Sequence, residues 1–225
     1  MRFSKVILTV FCIALIPMAA NAVMINEIRI DQSGADNDEY FELSGAPGES
    51  LNGLTYIVIG DGTGGSGVIE NVTNLDGLMI AADGLFLAVE STWTNSCGDT
   101  PDLVGTLDFE NSDNVTHMLV SDFTGAIGDD VDTDDDGIIE NPPWSGVVDC
   151  LGIVETEGSG DLVYCDTTVG PDGTFVPGHV LVCEGIWIIG DFTLCVYDTP
   201  GMDNTSACVV GNEETSFGSL KSLFR

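Results

Sequence analysis

Basic residues are scarce in this chain, and their scarcity limits the partners that it can bind. Five lysines and arginines stand against 37 aspartates and glutamates, so the formal net charge is −32 at pH 7. Such a surface repels nucleic-acid phosphates and anionic membranes, and it attracts divalent cations or basic partners. We therefore expect the acidic body to bind no nucleic acid. Solubility, as in salt-adapted proteins, is the simpler explanation for most of the acids.

Long apolar runs are limited to one, at the N-terminus. Residues 1–5 form a short basic start, residues 6–19 are apolar apart from Thr9, and residues 20–22 form an A-x-A cleavage signature. The run is too short for a comfortable membrane span. The sequence predicts a signal peptide over residues 1–22, cleaved after Ala22. It also predicts a secreted, periplasmic or cell-surface protein with no membrane span after signal removal.

Catalytic motifs are also lacking. The chain has two histidines, His117 and His179, both within predicted strands, and neither H-E-x-x-H nor G-x-S-x-G occurs. Paired carboxylates are too abundant here to indicate a hydrolytic site, and a metal-dependent hydrolase would normally offer more histidine ligands. We therefore predict that the protein is not an enzyme.

One glycine pattern imitates a nucleotide-binding motif. Gly62, Gly64 and Gly67 satisfy G-x-G-x-x-G directly after a predicted strand. The dinucleotide fingerprint requires a helix next, within a βαβ unit. Residues 68–72 instead have the composition of another strand, and no lysine is near to meet a phosphate. We interpret the match as coincidental.

Cysteine usage agrees with export. Of seven cysteines, Cys12 lies in the predicted signal peptide, and the absence of C-x-x-C argues against structural zinc and thioredoxin-like chemistry. Six cysteines remain, which is an even number, so up to three disulfides are expected in an oxidising compartment. Among the open pairings we favour Cys165 with Cys183, because they flank a predicted hairpin. The cysteines of the mature chain are Cys97, Cys150, Cys165, Cys183, Cys195 and Cys208.

A sustained helical period is absent from the mature chain. Residues 23–30 alternate apolar and polar side chains, as in a half-buried strand, and residues 54–59 are nearly all β-branched or aromatic, as in a buried one. Turn signals such as Asp136-Gly137 separate the short segments. This pattern predicts an all-β sandwich or barrel. The predicted strands are 23–30, 39–43, 54–59, 67–72, 78–80, 84–89, 115–120, 146–154, 162–165, 179–183 and 186–189.

The densest cluster of charge lies between Gly128 and Glu140. Read from Asp132, this stretch has the form D-x-D-x-D-G-x-x-E, in which alternate side chains can face one hard cation and Gly137 permits a sharp turn. A full EF-hand has its bidentate glutamate where this chain has Pro143, so the closing ligand is missing or comes from elsewhere. A solvated acidic turn is the alternative. The predicted Ca²⁺ ligands are Asp130, Asp132, Asp134, Asp136, Glu140 and the carbonyl of Ile138.

Several motifs resemble the lamin-tail domain family in its secreted bacterial form. The N-E-I of residues 26–28, the E-x-x-E-L of residues 39–43 and the turn at residues 51–54 are similar to the opening of that domain. The D-T-P-G of residues 198–201 is similar to its downstream half. The resemblance covers nearly all of residues 23–208. It implies an immunoglobulin-like β-sandwich, enlarged by long acidic loops, that acts as a non-catalytic module.

The sequence as a whole predicts an exported binding or structural module at the cell surface or in the extracellular space, stabilised by calcium. Its partner is expected to be a surface protein or a glycan. The alternatives are a calcium-dependent glycan-binding or adhesion module, and an accessory protein of an extracellular nuclease or other hydrolase. Residues 209–225 form a separate tail in which Lys221 and Arg225 accompany apolar residues. The tail is either a recognition signal for export or surface attachment, or a frayed or helical end that docks on the acidic body.

Overall fold

The described part of the chain folds into eleven strands and one helical turn at 205–208. The computed structural model describes residues 22–62, 65–94, 97–98 and 100–208. Nearly all of the predicted signal peptide and the whole predicted tail lie outside these residues. Within them, no helix is long and apolar enough to cross a membrane. The strands are β1 (Met24–Arg29), β2 (Tyr40–Ser44), β3 (Leu54–Gly62), β4 (Gly65–Asn74), β5 (Leu85–Glu90), β6 (Leu103–Gly105), β7 (Val115–Ser121), β8 (Gly146–Ile153), β9 (Thr168–Val169), β10 (His179–Cys183) and β11 (Ile186–Ile189).

Two mixed sheets pack against each other as a β-sandwich. One sheet has six strands in the order β11-β10-β1-β2-β5-β6, and the other has five in the order β4-β3-β7-β8-β9. Neighbouring strands are antiparallel except for the pairs β5–β6 and β8–β9, which are parallel. The prediction of an all-β sandwich is therefore confirmed.

The core lies between the two sheets, and a pair of stacked aromatic rings connects one sheet to the other. Phe41 of β2 stacks on Tyr56 of β3, with ring centroids 3.7 Å apart and planes within 3° of parallel. Successive side chains of a strand face opposite sides, so Ile57 and Ile59 of β3 point to the other face of the five-stranded sheet. There they form a second buried cluster that also contains Val131 of the acidic stretch. The central strand β3 is therefore buried on both faces.

Most of the predicted strands are present, with ends shifted by a few residues. The predicted strand 78–80 is wrong. Its residues form only an isolated bridge, between Ser50 and Met79, and the Ile80 N–H donates to the carbonyl of Glu49 at 2.9 Å. These groups close a turn and do not extend a sheet. The short parallel strands β6 and β9 were not predicted, because three and two residues are too few to show an alternation.

The predicted strand 162–165 is also wrong. The Leu162 N–H donates to Ser66 Oγ at 3.1 Å, and the Tyr164 N–H donates to Thr116 Oγ1 at 2.9 Å. Side-chain acceptors thus take the place of a backbone ladder. The segment lies against the five-stranded sheet without joining it.

The structure contains three disulfides, and their pairing differs from the favoured one. The bonds join Cys97 to Cys195, Cys150 to Cys165, and Cys183 to Cys208. The favoured pair Cys165–Cys183 is wrong because residues 162–165 form no hairpin with β10. Three disulfides in one domain indicate an oxidising compartment, as outside the cell or in a periplasm.

Candidate metal centre in the acidic loop

The acidic loop, residues 128–140, begins along the outer edge of β4. The Ile69 N–H donates to the carbonyl of Asp129 at 2.9 Å, and the Gly128 N–H donates to the carbonyl of Ile69 at 2.7 Å. The Val131 N–H donates to the carbonyl of Gly67 at 2.9 Å. These bonds satisfy an edge strand that would otherwise present unpaired groups. They also fix the start of the loop relative to the sheet.

Asp132 folds the loop around its own carboxylate. Its side chain is fully buried, its Oδ2 accepts the Gly137 N–H at 2.8 Å, and its Oδ1 accepts the Asp136 N–H at 3.1 Å. Gly137 has φ of +86°, a conformation that side chains other than glycine's rarely adopt. The sharp turn predicted at Gly137 is therefore present, and the carboxylate of Asp132 organises it.

Four of the predicted ligand residues converge. Asp132, Asp134, Asp136 and Glu140 each offer a carboxylate oxygen, and these oxygens lie within 4.8 Å of one another. Calcium binds oxygens at about 2.3–2.6 Å, so ligands of one ion lie within about 5 Å of each other. The negative charge of Asp136 is the largest cause that raises the pKa of the Asp134 carboxyl. The spacing of these oxygens is compatible with an oxygen-ligated cation, and their like charges repel each other.

Of the other two predicted ligand residues, Asp130 is not among the converging carboxylates, and Ile138 was predicted to act through its backbone carbonyl. Asp130 uses its Oδ1 to accept the Asp132 N–H at 3.1 Å, and it forms an isolated bridge with Val68 of β4. Ile138 contributes its N–H to Asp136 Oδ1 at 2.9 Å, and its side chain is exposed. Both residues shape the loop through its backbone.

Neighbouring elements hold the acidic loop from outside. The Tyr164 hydroxyl donates to Asp132 Oδ2 at 2.9 Å, and burial together with this hydrogen bond raises the pKa of Tyr164. A Cβ at Gly67 would lie 2.7 Å from the Cβ of Asp132, and one at Gly65 would overlap the Asp135 carboxylate. The absence of side chains at Gly65 and Gly67 therefore lets the acidic loop pack closely against the start of β4. As expected, the glycine-rich stretch leads into β4 where a nucleotide-binding motif would need a helix.

Sequence reasoning missed these supporting contacts. Tyr164 is separated from Asp132 by 32 residues, and nothing in its local pattern points to an acidic neighbour. The density of glycine at residues 62–67 was a usable signal, because glycines without phosphate-binding context often mark a close approach of backbones.

A second polar cluster lies in the interior of the six-stranded sheet. Glu27 accepts hydrogen bonds from the Tyr40 hydroxyl, from His179 Nε2 at 2.8 Å, and from the N–H and hydroxyl of Thr199 at 2.9 and 2.6 Å. Burial is the largest single influence and pushes the pKa of Glu27 upward, but the interactions with His179 and the hydrogen bonds from Thr199 together outweigh it and lower that pKa. The side chains of Glu27 and His179 are fully enclosed. This cluster ties β1, β2 and β10 to the segment at Thr199, and ligand atoms of Glu27, His179 and Asp198 lie within 4.8 Å of one another in the interior.

Arg29 completes this buried cluster. Its Nε donates to Asp198 Oδ1 at 2.7 Å, and both side chains have no exposed surface. Its other nitrogens donate to the carbonyls of Asp31, Asp191 and Phe192. An arginine that is fully paired in the interior gives the surface no positive charge.

The other histidine, His117, is also in the interior. Its Nδ1 lies 2.8 Å from the Tyr56 hydroxyl, and the imidazole packs edge-on against Phe109. Burial lowers the pKa of His117 to about 3, so the ring is neutral at physiological pH. A neutral, enclosed imidazole is a packing group and has no access to a substrate.

A third group of acids lies beside an open cleft between β4 and the segment 108–111. Asp61, Glu70 and Glu110 each place a carboxylate oxygen within 4.8 Å of the others, beside a cavity of about 300 Å³. Burial and the charge of Glu110 raise the pKa of Glu70 to about 7. This cleft lacks the backbone turn that arranges alternate ligands in the acidic loop, so the loop is the better candidate for a cation.

No protein-family model, no curated protein and no solved structure matches this chain. Its function is therefore inferred from the geometry of its own residues.

Proposed function

We propose that this protein is an exported, non-catalytic β-sandwich module of the lamin-tail type, stabilised by calcium in its acidic loop. Its role is to bind a protein or a glycan at the cell surface or outside the cell. The proposed calcium site is supported by one observation. Carboxylate oxygens of four residues lie within 4.8 Å of one another on a folded turn: Asp132, Asp134, Asp136 and Glu140.

The chemistry of the loop favours calcium over other metals. All four side chains are carboxylates, and hard oxygen ligands suit Ca²⁺, whereas zinc sites use cysteine and histidine. Carboxylates gathered on one turn suit the variable coordination of Ca²⁺ better than the strict octahedron of Mg²⁺. Bound calcium would neutralise the repulsion that raises the pKa of Asp134. Water and backbone carbonyls such as that of Ile138 would fill the remaining positions.

The lamin-tail assignment is supported by contacts among the motifs that carry the resemblance. Asn26 of β1 donates from Nδ2 to Glu42 Oε1 of β2 at 2.6 Å, and the Gly201 N–H donates to Glu42 Oε2 at 2.7 Å. Thr199 donates to Glu27 Oε2 at 2.6 Å. Motifs that are far apart in sequence thus form one structural unit at the centre of the domain.

A binding role is supported by the placement of the polar clusters. The enclosed Glu27 and Arg29 cluster stabilises the fold, and His117 is sealed in the core, so among the described residues neither histidine faces solvent. Export is supported by the three disulfides. An acidic, disulfide-bonded module with a calcium-stabilised loop suits the millimolar calcium of extracellular fluids.

Thermal unfolding of residues 23–225 in EDTA, in 5 mM CaCl₂ and in 5 mM MgCl₂ tests the calcium site. Extracellular modules bind calcium with dissociation constants of about 0.1–1 mM, so mass action gives a stabilisation of about 1–2 kcal/mol at this concentration. For a domain of this size we expect the midpoint to rise by about 2–8 °C with calcium.

Asp134→Asn should abolish most of this rise, because it removes one ligand charge from an exposed side chain. Glu157→Ala is the matched control, since Glu157 is an exposed acid away from the loop. An equal rise with magnesium, or none with calcium, would make the loop a general polyanion and refute the proposed site.

A further inference from the structure

We propose that Tyr164 is a positioning residue of the calcium site: held by the Cys150–Cys165 disulfide, it orients the carboxylate of Asp132 toward the ion. The inference rests on the proposed function, since it concerns the same loop. It adds a residue outside the acidic stretch, and a covalent bond, to the determinants of cation affinity.

Three donors hold the carboxylate of Asp132. Within the loop, the N–H groups of Asp136 and Gly137 each donate to one of its oxygens. The Tyr164 hydroxyl adds a donor to Oδ2, from a segment that does not belong to the loop. Asp132 is fully buried, so its oxygens rely on donors from the protein. The third donor therefore fixes the plane of the carboxylate and the direction of its free lone pairs.

Bonds to the five-stranded sheet hold Tyr164 in place. Residues 162–165 have no backbone ladder, so their position depends on other bonds. The Tyr164 N–H donates to Thr116 Oγ1 on β7, and the next residue, Cys165, is bonded to Cys150 on β8. The ring packs against the buried cluster that contains Val131. The five-stranded sheet thus determines where the tyrosine hydroxyl lies.

Together these contacts connect the sheet to the ion through one hydroxyl. Groups that hydrogen-bond a metal ligand orient it before the ion arrives, and their loss typically lowers metal affinity about 10–100-fold. An unheld Asp132 would still carry its charge, so binding would weaken but not vanish. We expect Tyr164→Phe to raise the dissociation constant for calcium about tenfold.

The experiment is a titration of residues 23–225 with CaCl₂ by isothermal calorimetry, repeated with Tb³⁺ and read by sensitised luminescence. Tyr197→Phe is the matched control. It also removes a tyrosine hydroxyl, but from a side chain that is 44% exposed. Thr116→Val removes the acceptor that holds the Tyr164 backbone and should weaken calcium binding in the same direction. Unfolding midpoints in EDTA are recorded for each variant, so that a loss of affinity can be compared with a loss of stability.

The disulfide is tested with the double variant Cys150→Ser and Cys165→Ser, against Cys183→Ser and Cys208→Ser. Only the first pair should lower calcium affinity. If that variant fails to fold, Tyr164→Phe and Thr116→Val still decide the question. A Tyr164→Phe protein that binds calcium as the wild type does, whatever its midpoint, would overturn the inference and leave the calcium site standing. Wild-type protein that binds neither Ca²⁺ nor Tb³⁺ would overturn both.

Discussion

Replacing Glu39 by glutamine tests how burial and crowding of like charges govern the stability of this sandwich. Glu39 precedes β2 and is only 3% exposed, and both of its carboxylate oxygens accept the Phe109 N–H at 3.1 Å. Burial is the main cause that raises its pKa, to about 9, and the charges of Asp36 and Glu90 add to it. The group is therefore protonated in the folded protein at neutral pH and ionised in the unfolded chain.

The sign of the effect follows from proton binding. Between pH 4.5, the ordinary pKa of this carboxyl, and about 9, the folded state binds one more proton than the unfolded state. Stability is therefore complete below pH 4.5 and declines as the pH rises toward 9. Each pH unit costs about 1.4 kcal/mol, so the decline between pH 5 and 7 is on the order of 2.5 kcal/mol. Glu39→Gln keeps the shape but cannot ionise, and this part of the decline should disappear.

Urea unfolding of the wild type and Glu39→Gln at pH 5, 6 and 7 measures the difference. Other buried carboxyls, such as Glu42 with a pKa of about 8, contribute equally to both proteins and cancel in the comparison. Glu157→Gln, at an exposed position, should follow the wild type. If the free energy of unfolding of Glu39→Gln falls with pH as steeply as that of the wild type, then Glu39 is ionised in the folded state and the reasoning is refuted.

Two further substitutions test the fold. Gly67→Ala should destabilise by about 1–3 kcal/mol in urea unfolding, because a Cβ there would meet the backbone nitrogen of Asp132 at 2.9 Å with φ at +91°. Gly77→Ala, with φ of +83° and open space, should cost only about 1 kcal/mol, and equal losses would contradict the close approach. Phe41→Ala should cost about 3–5 kcal/mol as a core truncation, whereas Phe175→Ala, at a 71% exposed ring, should stay within about 0.5 kcal/mol of the wild type. Similar costs would place Phe41 outside the core.

Local patterns in the sequence were sufficient for most strands and for the turn of the acidic loop. β10 and β11 match the predicted ranges because their β-branched runs are bounded by Gly178, Gly185 and Gly190. The turn at Gly137 follows from glycine after alternating aspartates, a short-range relation between a carboxylate and nearby N–H groups. Such features depend on neighbours within a few residues, and composition reveals them.

Contacts that depend on topology were not predictable in the same way. The wrong pairing of Cys165 followed from assuming a hairpin, whereas its partner Cys150 lies on β8. The cluster around Glu27 joins residues separated by up to 172 positions, and a single sequence gives each of them an ordinary strand or turn context. Sheet order decides these contacts, and the order places β10 beside β1 through a connection that no local signal specifies.

The burial of Arg29 explains why the acidic surface depends on its solvent. Arg29 is the only lysine or arginine among the described residues, and it is fully enclosed and paired with Asp198. Among the described residues, no lysine or arginine is therefore left to pair with the surface carboxylates. The cleft at Glu70 is crowded enough to hold a proton near pH 7, whereas the acidic loop brings four carboxylates together around a glycine turn. On the proposed function, the same shortage of basic residues favours protonation where carboxyls are buried, and calcium where they are arranged around a glycine turn.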